Sequence, residues 1–204
     1  MITIIDYGLG NIHAFTNVYK RLNIETRVAC KKNDLKEATK LILPGVGAFD
    51  HAMIMLNKSG MRETLNELVL VKRIPIIGVC VGMQILGKYS DEGTLPGLGW
   101  IDGIVKKFDA SMIIFKTHLP HMGWNNIKTN GSNPLFYNLN STARFYFLHS
   151  YYFQCVNQSE VISTTDYGIT YASAINSNNI FGVQFHPEKS HSNGIQVLNN
   201  YSRL

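Results

Sequence analysis

Ile76-Ile77-Gly78-Val79-Cys80-Val81-Gly82-Met83-Gln84 reads as a short apolar strand, a tight turn and the opening of a helix, with a cysteine at the turn. Gly78-x-Cys80-x-Gly82 has the spacing of a nucleophile elbow in which sulfur replaces the hydroxyl. A glycine on each side lets the backbone turn sharply and keeps neighbouring side chains off the sulfur. Such a turn holds Cys80 above the carboxyl end of a strand. The helix that follows, read from Gly82 to about Tyr89, presents its positive end to a thiolate. The competing reading is a structural cysteine, because a free thiol also packs as a small hydrophobe.

The residues upstream alternate between strand and helix. Ile2 to Ile5 is an apolar run ending in Asp6, a first strand. The turn Tyr7-Gly8-Leu9-Gly10-Asn11 follows, with Asn11 placed to cap a helix running to about Leu22. Gly8-x-Gly10 begins a dinucleotide fingerprint, but His13 stands where its third glycine belongs, so no such cofactor is expected. Residues 25–30 and 40–43 read as strands around a short helix at 34–39, and 49–57 and 61–72 as helices broken at Gly60. In Pro44-Gly45-Val46-Gly47, two glycines bracket one residue and leave backbone N–H groups accessible at a strand end. That arrangement suits either an oxyanion donor or an ordinary strand-to-helix turn. The alternation predicts a mostly parallel sheet with right-handed crossovers, in which sites lie beyond the carboxyl ends of the strands.

Beyond Ser90 the character changes. Residues 91–100 form a Gly/Pro-rich loop, and β-like runs follow near 101–108, 112–118, 124–128, 144–155, 160–164 and 171–175. Ile180 to Phe185 is a further strand ending at His186-Pro187-Glu188. Ile195, Leu198 and Tyr201 have helical spacing and predict a helix closing the sheet. No repeat or low-complexity segment divides the chain, and residues 1–204 read as one domain.

Composition narrows the function classes. A hydrophobic fraction of 45% and a charged fraction of 16% describe a globular chain. The net charge is +5, but Lys31-Lys32 and Lys106-Lys107 are its only adjacent lysines, so no nucleic-acid partner is expected. No apolar run reaches the ~18–20 residues of a membrane span. Cys30, Cys80 and Cys155 make no CxxC pair, and no signal sequence precedes them. A reducing, cytoplasmic setting is expected.

Of seven histidines, His186 is best placed to serve a thiol as base, because it follows an apolar strand and has Glu188 two residues on. In extended chain the two side chains share a side, so the carboxylate would orient the imidazole, with Pro187 stiffening the path. His118-x-x-His121 lacks a nearby third ligand, and no metal is expected. Trp124, Tyr146, Tyr151 and Tyr152 read by pattern alone as core or cover aromatics.

Pro44-Gly45-Val46-Gly47, Gly78-Val79-Cys80-Val81-Gly82-Met83-Gln84 and Phe185-His186-Pro187-Glu188-Lys189-Ser190, in this order, resemble the class I (triad) glutamine amidotransferases. Residues 6–11, 120–125 and 145–151 resemble the branch formed by the glutaminase subunits of imidazole glycerol phosphate synthases. The resemblance spans the chain. It implies an α/β fold with a mostly parallel central sheet flanked by helices and an added antiparallel β region. It further implies Cys80 as nucleophile, His186 as base and then acid, and Glu188 as orienter, acting on L-glutamine without a cofactor. Backbone groups at Val46 or Gly47 and at Val81 would hold the oxyanion, the first after a peptide flip that the partner triggers. Gly45, Gln84, Ser150 and Tyr151 match glutamine-holding positions. Asn11, Trp124, Tyr146 and Lys189 match the partner interface and the ammonia passage. The implied partner is a separate (β/α)8-barrel synthase in a heterodimer of the histidine pathway, and the short stretch after Glu188 agrees in leaving no room for an ammonia-consuming domain.

Val79 and Val81 depart conservatively from the family pattern. Trp100 and Asp102, in the 90–102 loop, resemble instead paralogues that supply ammonia for acetamidino sugars of surface polysaccharides. Two further alternatives are an inactive binding relative and a cysteine hydrolase of another amide.

Overall fold

The computed structural model describes residues 1–114 and 118–204. Strands and helices run in the order β1 Ile2–Ile5, α1 Ile12–Arg21, β2 Thr26–Ala29, β3 Leu41–Gly45, α2 Phe49–Lys58, α3 Arg62–Asn66, β4 Ile76–Cys80 and α4 Val81–Gln84. They continue as β5 Tyr89–Ser90, β6 Gly103–Lys107, β7 His121–Asn126, β8 Lys128–Thr129, β9 Arg144–His149 and β10 Tyr151–Cys155. The last are β11 Val161–Tyr167, β12 Ile169–Ser177, β13 Ile180–Val183 and α5 His191–Arg203.

The main sheet has the order β2-β1-β3-β4-β13-β12-β10-β6-β5, with β11 and β8 branching from β12. From β2 to β13 all neighbours are parallel, and β12 begins an antiparallel extension. The parallel strands are short apolar runs covered on both faces, and β1, β3, β4 and β13 are buried along their whole length. This is the expected α/β plan with its added antiparallel region.

Several local expectations are corrected. The helix read over 82–89 is a single turn, Val81–Gln84. The carbonyls that would continue it are taken by the following loop: Leu98 N donates to Ile85 O, Trp100 N to Leu86 O, Gly99 N to Gly87 O and Gly97 N to Lys88 O. The short helix at 34–39 is a 3-10 turn over Lys32–Leu35, held where Asp34 accepts from the amides of Cys30 and Lys31. The β-like run 144–155 is two strands in two sheets. β9 pairs with β7 in a separate antiparallel ribbon, and β10 joins the main sheet. The predicted run 112–118 falls partly outside the described residues, and its opening residues close a 3-10 turn.

Candidate active site

Three adjacent parallel strands end together. Register pairs Gly45 of β3 with Cys80 of β4, and Val79 of β4 with Val183 of β13. The Pro44–Gly47 turn, the cysteine and the segment leading to His186 therefore emerge side by side, at the carboxyl edge where open α/β sheets bind their ligands.

At Cys80 the backbone adopts φ 55° and ψ −114°, a conformation costing a non-glycine residue about 1–3 kcal/mol. The flanking glycines are not where the turn's positive φ lies; they permit close approach. A Cβ on Gly78 would stand 2.5 Å from the carbonyl oxygen of Gly82, and one on Gly82 would overlap the carbonyl oxygen of Leu43. The elbow is thus pressed into β3, and the strain falls on Cys80. A four-residue α4 gives little macrodipole, so neighbouring side chains set the sulfur's surroundings.

His186 provides the first of them. Its imidazole lines the same cavity as Cys80, and its Nδ1 lies 2.9 Å from Glu188 Oε1, with both side chains 3% exposed. Burial disfavours the imidazolium, but the hydrogen bonds and charges of Cys80 and Glu188 outweigh it and push the His186 pKa up to about 10. The pairing with Glu188 does not arise from extended chain. Pro187–Lys189 is a 3-10 turn with proline at its start, and the turn folds the carboxylate back onto the ring. Ser190 locks the turn by donating from Oγ to His186 O at 2.6 Å.

The other thiols and imidazoles are differently placed. Burial pushes Cys155 up to about 12, and Cys30 is exposed at the end of β2, with β1 and β3 between it and β4. His149, which the sequence reading passed over, also lines the cavity. Its Nδ1 donates to Tyr151 O at 2.7 Å, so its Nε2 faces the Tyr171 hydroxyl, 3.2 Å away. Burial and then the neighbouring His121 hold His149 neutral, with a pKa of about 3. His121 is pushed down to about 4 by burial, and its ring is stacked on Tyr167 and bonded to Tyr171. Of the two histidines on the cavity, only His186 has an anion to sustain a proton.

The cavity over the sulfur has a volume of about 290 Å³. Val46, Gly47 and Val81 line it, as do Gln84, Ser150 and Tyr151. Gly45 does not; it is buried behind the elbow, where a Cβ would meet the backbone of Val81 and Gly82. Gly47 has φ 86° and open space around it, and Val46 is 40% exposed. Below them the strand end is anchored by the Tyr7 hydroxyl donating to Pro44 O at 2.8 Å. The sequence reading also missed Glu92, whose carboxylate lines the cavity and accepts from Phe49 N, the first amide of α2, at 2.8 Å. The signal available was an acidic residue in a loop tied to this helix; Asp50 reciprocates by accepting from the amides of Thr94 and Leu95.

Beside the cavity mouth, Trp124 stacks on His191 at 5.0 Å, Tyr146 sits edge-on to Trp124, and Lys189 Nζ lies 5.8 Å from the Tyr146 ring centroid. These three expected interface residues come together. Asn11 stands apart from them, its side chain accepting from Ala14 N to cap α1. Trp100 and Asp102 serve the scaffold: the indole donates to Asn66, and the carboxylate pairs with Lys88 at 2.7 Å. Neither lines the cavity.

A buried Cys–His–Glu set stands at the carboxyl edge of a parallel sheet beneath a small mixed-polarity cavity, an arrangement suited to thiol-nucleophile chemistry in an α/β fold. The family model "Glutamine amidotransferase class-I" matches residues 3–202, and the chain belongs to this family. Relatives described as imidazole glycerol phosphate synthase subunit HisH, from Bdellovibrio bacteriovorus and Leptospira interrogans, are 52% and 50% identical over the full length of both chains. A Pseudomonas aeruginosa relative described as subunit HisH 2 is 43% identical, again over both full lengths. Among solved structures, a glutamine amidotransferase superposes with a TM-score of 0.75 at 18% identity, covering 98% of each chain. A chain of PurLQS from Thermotoga maritima gives 0.74 at 15%, covering 99% of this chain and 97% of that one. Among the described residues no helix is long and apolar enough to cross a membrane.

Proposed function

We propose that this chain is the glutaminase subunit of an imidazole glycerol phosphate synthase, hydrolysing L-glutamine and passing ammonia to a separate (β/α)8-barrel synthase in histidine biosynthesis. The observation that carries this reading is the His186 imidazole, bonded to Glu188 and lining one cavity with Cys80. The full-length likeness to subunits of that synthase supports the choice of pathway. With Trp100 and Asp102 committed to scaffold contacts, no feature of the site favours the surface-sugar alternative.

In this reading Cys80 attacks the side-chain amide carbon as thiolate, while its proton resides on His186. The carbonyl oxygen becomes an oxyanion, taken by backbone N–H groups at Val81 and at Val46 or Gly47. His186 then gives its proton to the amide nitrogen, the C–N bond breaks and ammonia leaves. A water, deprotonated by His186, attacks the glutamyl thioester, and collapse of that adduct releases glutamate and restores the thiol. Glu188 keeps the imidazole oriented and stabilises its charged form. Gln84, Ser150 and Tyr151 bind the amino-acid portion, and Glu92, the carboxylate available in the cavity besides the triad's, meets the α-ammonium. Gly45 contributes through its backbone position. Trp124, Tyr146 and Lys189 present the docking rim and the ammonia exit, and Asn11, at the start of α1, is a separate point of the partner interface. One domain, residues 1–204, carries all of this, in the reducing cytoplasm that an unpaired catalytic thiol requires.

The test is glutamine turnover by the purified chain, alone and with the synthase from the same organism. Turnover that rises on mixing, and that Cys80→Ala abolishes, is the expected result. A Cys80→Ala chain with undiminished turnover refutes it.

A further inference from the structure

Gln184 lies two residues before His186, at the end of β13, and is fully buried. Its Nε2 stands 3.8 Å from Cys80 Sγ, within reach of an N–H···S hydrogen bond, and its Oε1 accepts from Gln84 Nε2 at 3.1 Å. Gln84 Nε2 also donates to Tyr151 O at 3.1 Å, and His149 Nδ1 to the same oxygen at 2.7 Å.

The polarity of this chain is forced. A backbone carbonyl only accepts, so the amide edge of Gln84 that faces Tyr151 O is its NH2 group. That NH2 group also faces Gln184, and the facing atom there must accept, which makes it Oε1. The atom of Gln184 left to face the sulfur is therefore Nε2, a donor. Turning over Gln84 would set acceptor against acceptor at Tyr151 O, and turning over Gln184 would set donor against donor, so the N–H arrives at Cys80 preorganised. Gln184 follows directly on β13, in the bend that leads to His186, so the segment that carries His186 to the cavity also brings Gln184 to the sulfur.

We propose that Gln184 is a positioning residue for the nucleophile, donating a buried N–H···S hydrogen bond that favours the Cys80 thiolate from behind the cavity lining. A thiol donates towards an acceptor, and Leu148 O lies 3.9 Å from Sγ; a thiolate has no proton for that carbonyl and gains from an N–H donor. Gln184 thus discriminates between the two states of the sulfur. This inference rests on Cys80 being the nucleophile.

The experiment is alkylation of the full chain by iodoacetamide across a pH series, with modification of the Cys80 peptide followed by mass spectrometry so that Cys30 does not interfere. Replacing the amide by a thioether of similar length, Gln184→Met, is expected to move the midpoint of Cys80 alkylation up by about one pH unit. Below the midpoint this is a roughly tenfold loss of rate. A folded Gln184→Met chain with an unmoved midpoint overturns the proposal, since a role confined to packing or to holding Gln84 leaves that midpoint in place. If the variant does not fold, the wild-type side-chain amide resonances of Gln184 decide: they must titrate together with Cys80, and resonances that stay fixed through that titration overturn the proposal. The nucleophile reading fails separately, and the proposal with it, if wild-type Cys80 is alkylated no faster than Cys155.

Discussion

A Cβ atom on Gly78 would lie 2.5 Å from the carbonyl oxygen of Gly82, so the strand before Cys80 and the turn after it touch backbone to backbone. Substituting Gly78 forces the α4 turn away from β4 and substituting Gly82 forces it away from β3, and overpacking of this kind costs typically about 1–3 kcal/mol. Gly82→Ala, which meets the fixed carbonyl of Leu43, is expected to be the more damaging. Thermal unfolding and glutamine turnover measured on Gly78→Ala and Gly82→Ala would show turnover falling by more than the stability loss explains. Wild-type turnover in Gly82→Ala would contradict the geometry.

Removing the charge of Glu188 while keeping its shape isolates its role. Glu188→Gln is expected to lower kcat by roughly 10²–10⁴-fold, in the range of general acid–base help, with KM for glutamine much less affected. Steady-state kinetics with the synthase present make the measurement. Glu188 Oε2 is buried and has no hydrogen-bond partner among the described residues, so the amide also gains nothing on that side to offset its loss.

Glu92 has two separable duties. Glu92→Gln keeps an oxygen for Phe49 N but loses the charge, and is expected to raise KM for glutamine with kcat nearly unchanged. Glu92→Ala loses both, adding a helix-cap cost of about 0.5–2 kcal/mol in thermal or denaturant unfolding. Equal KM values for Glu92→Gln and wild type would remove Glu92 from the substrate site.

The buried His121–Tyr171–His149 cluster predicts acid lability. Both histidines are held neutral in the fold, at about 4 and about 3, whereas unfolded they take up protons near 6.5. Between those values the unfolded chain binds more protons, so stability falls as pH drops from about 6.5 towards 3. His186 has the opposite sign: its pKa of about 10 contributes stability that is complete below about 6.5 and is lost as pH rises towards 10. Unfolding midpoints measured across this range should peak near neutrality, and His149→Gln should flatten the acid limb. An acid limb unchanged in that variant would place the sensitivity elsewhere.

Much of the site was legible from residue types because its parts sit at strand ends. Cys80, His186 and the Pro44–Gly47 turn each follow an apolar run, and parallel register does the rest. What resisted reading was decided by contacts distant in sequence. The short α4 depends on amides from 97–101 capturing the carbonyls of 85–88. The division of 144–155 between two sheets depends on β7 and β6. Gln184 looked like one more strand residue because its significance exists only through Gln84, a hundred positions away. The expected contact of Glu188 with His186 is present, but a proline-started turn, and not extended chain, returns the carboxylate to the ring.

The rim and the triad share covalent chain. Tyr146 accepts from His186 N at 2.9 Å and donates its own amide to Ser190 Oγ at 3.0 Å, while its ring meets Trp124 and Lys189. Lys189 is the residue after Glu188. Two hydrogen bonds and one peptide unit thus join the aromatic rim to the segment that holds His186 and Glu188, so a shift of Tyr146 is carried to both side chains together.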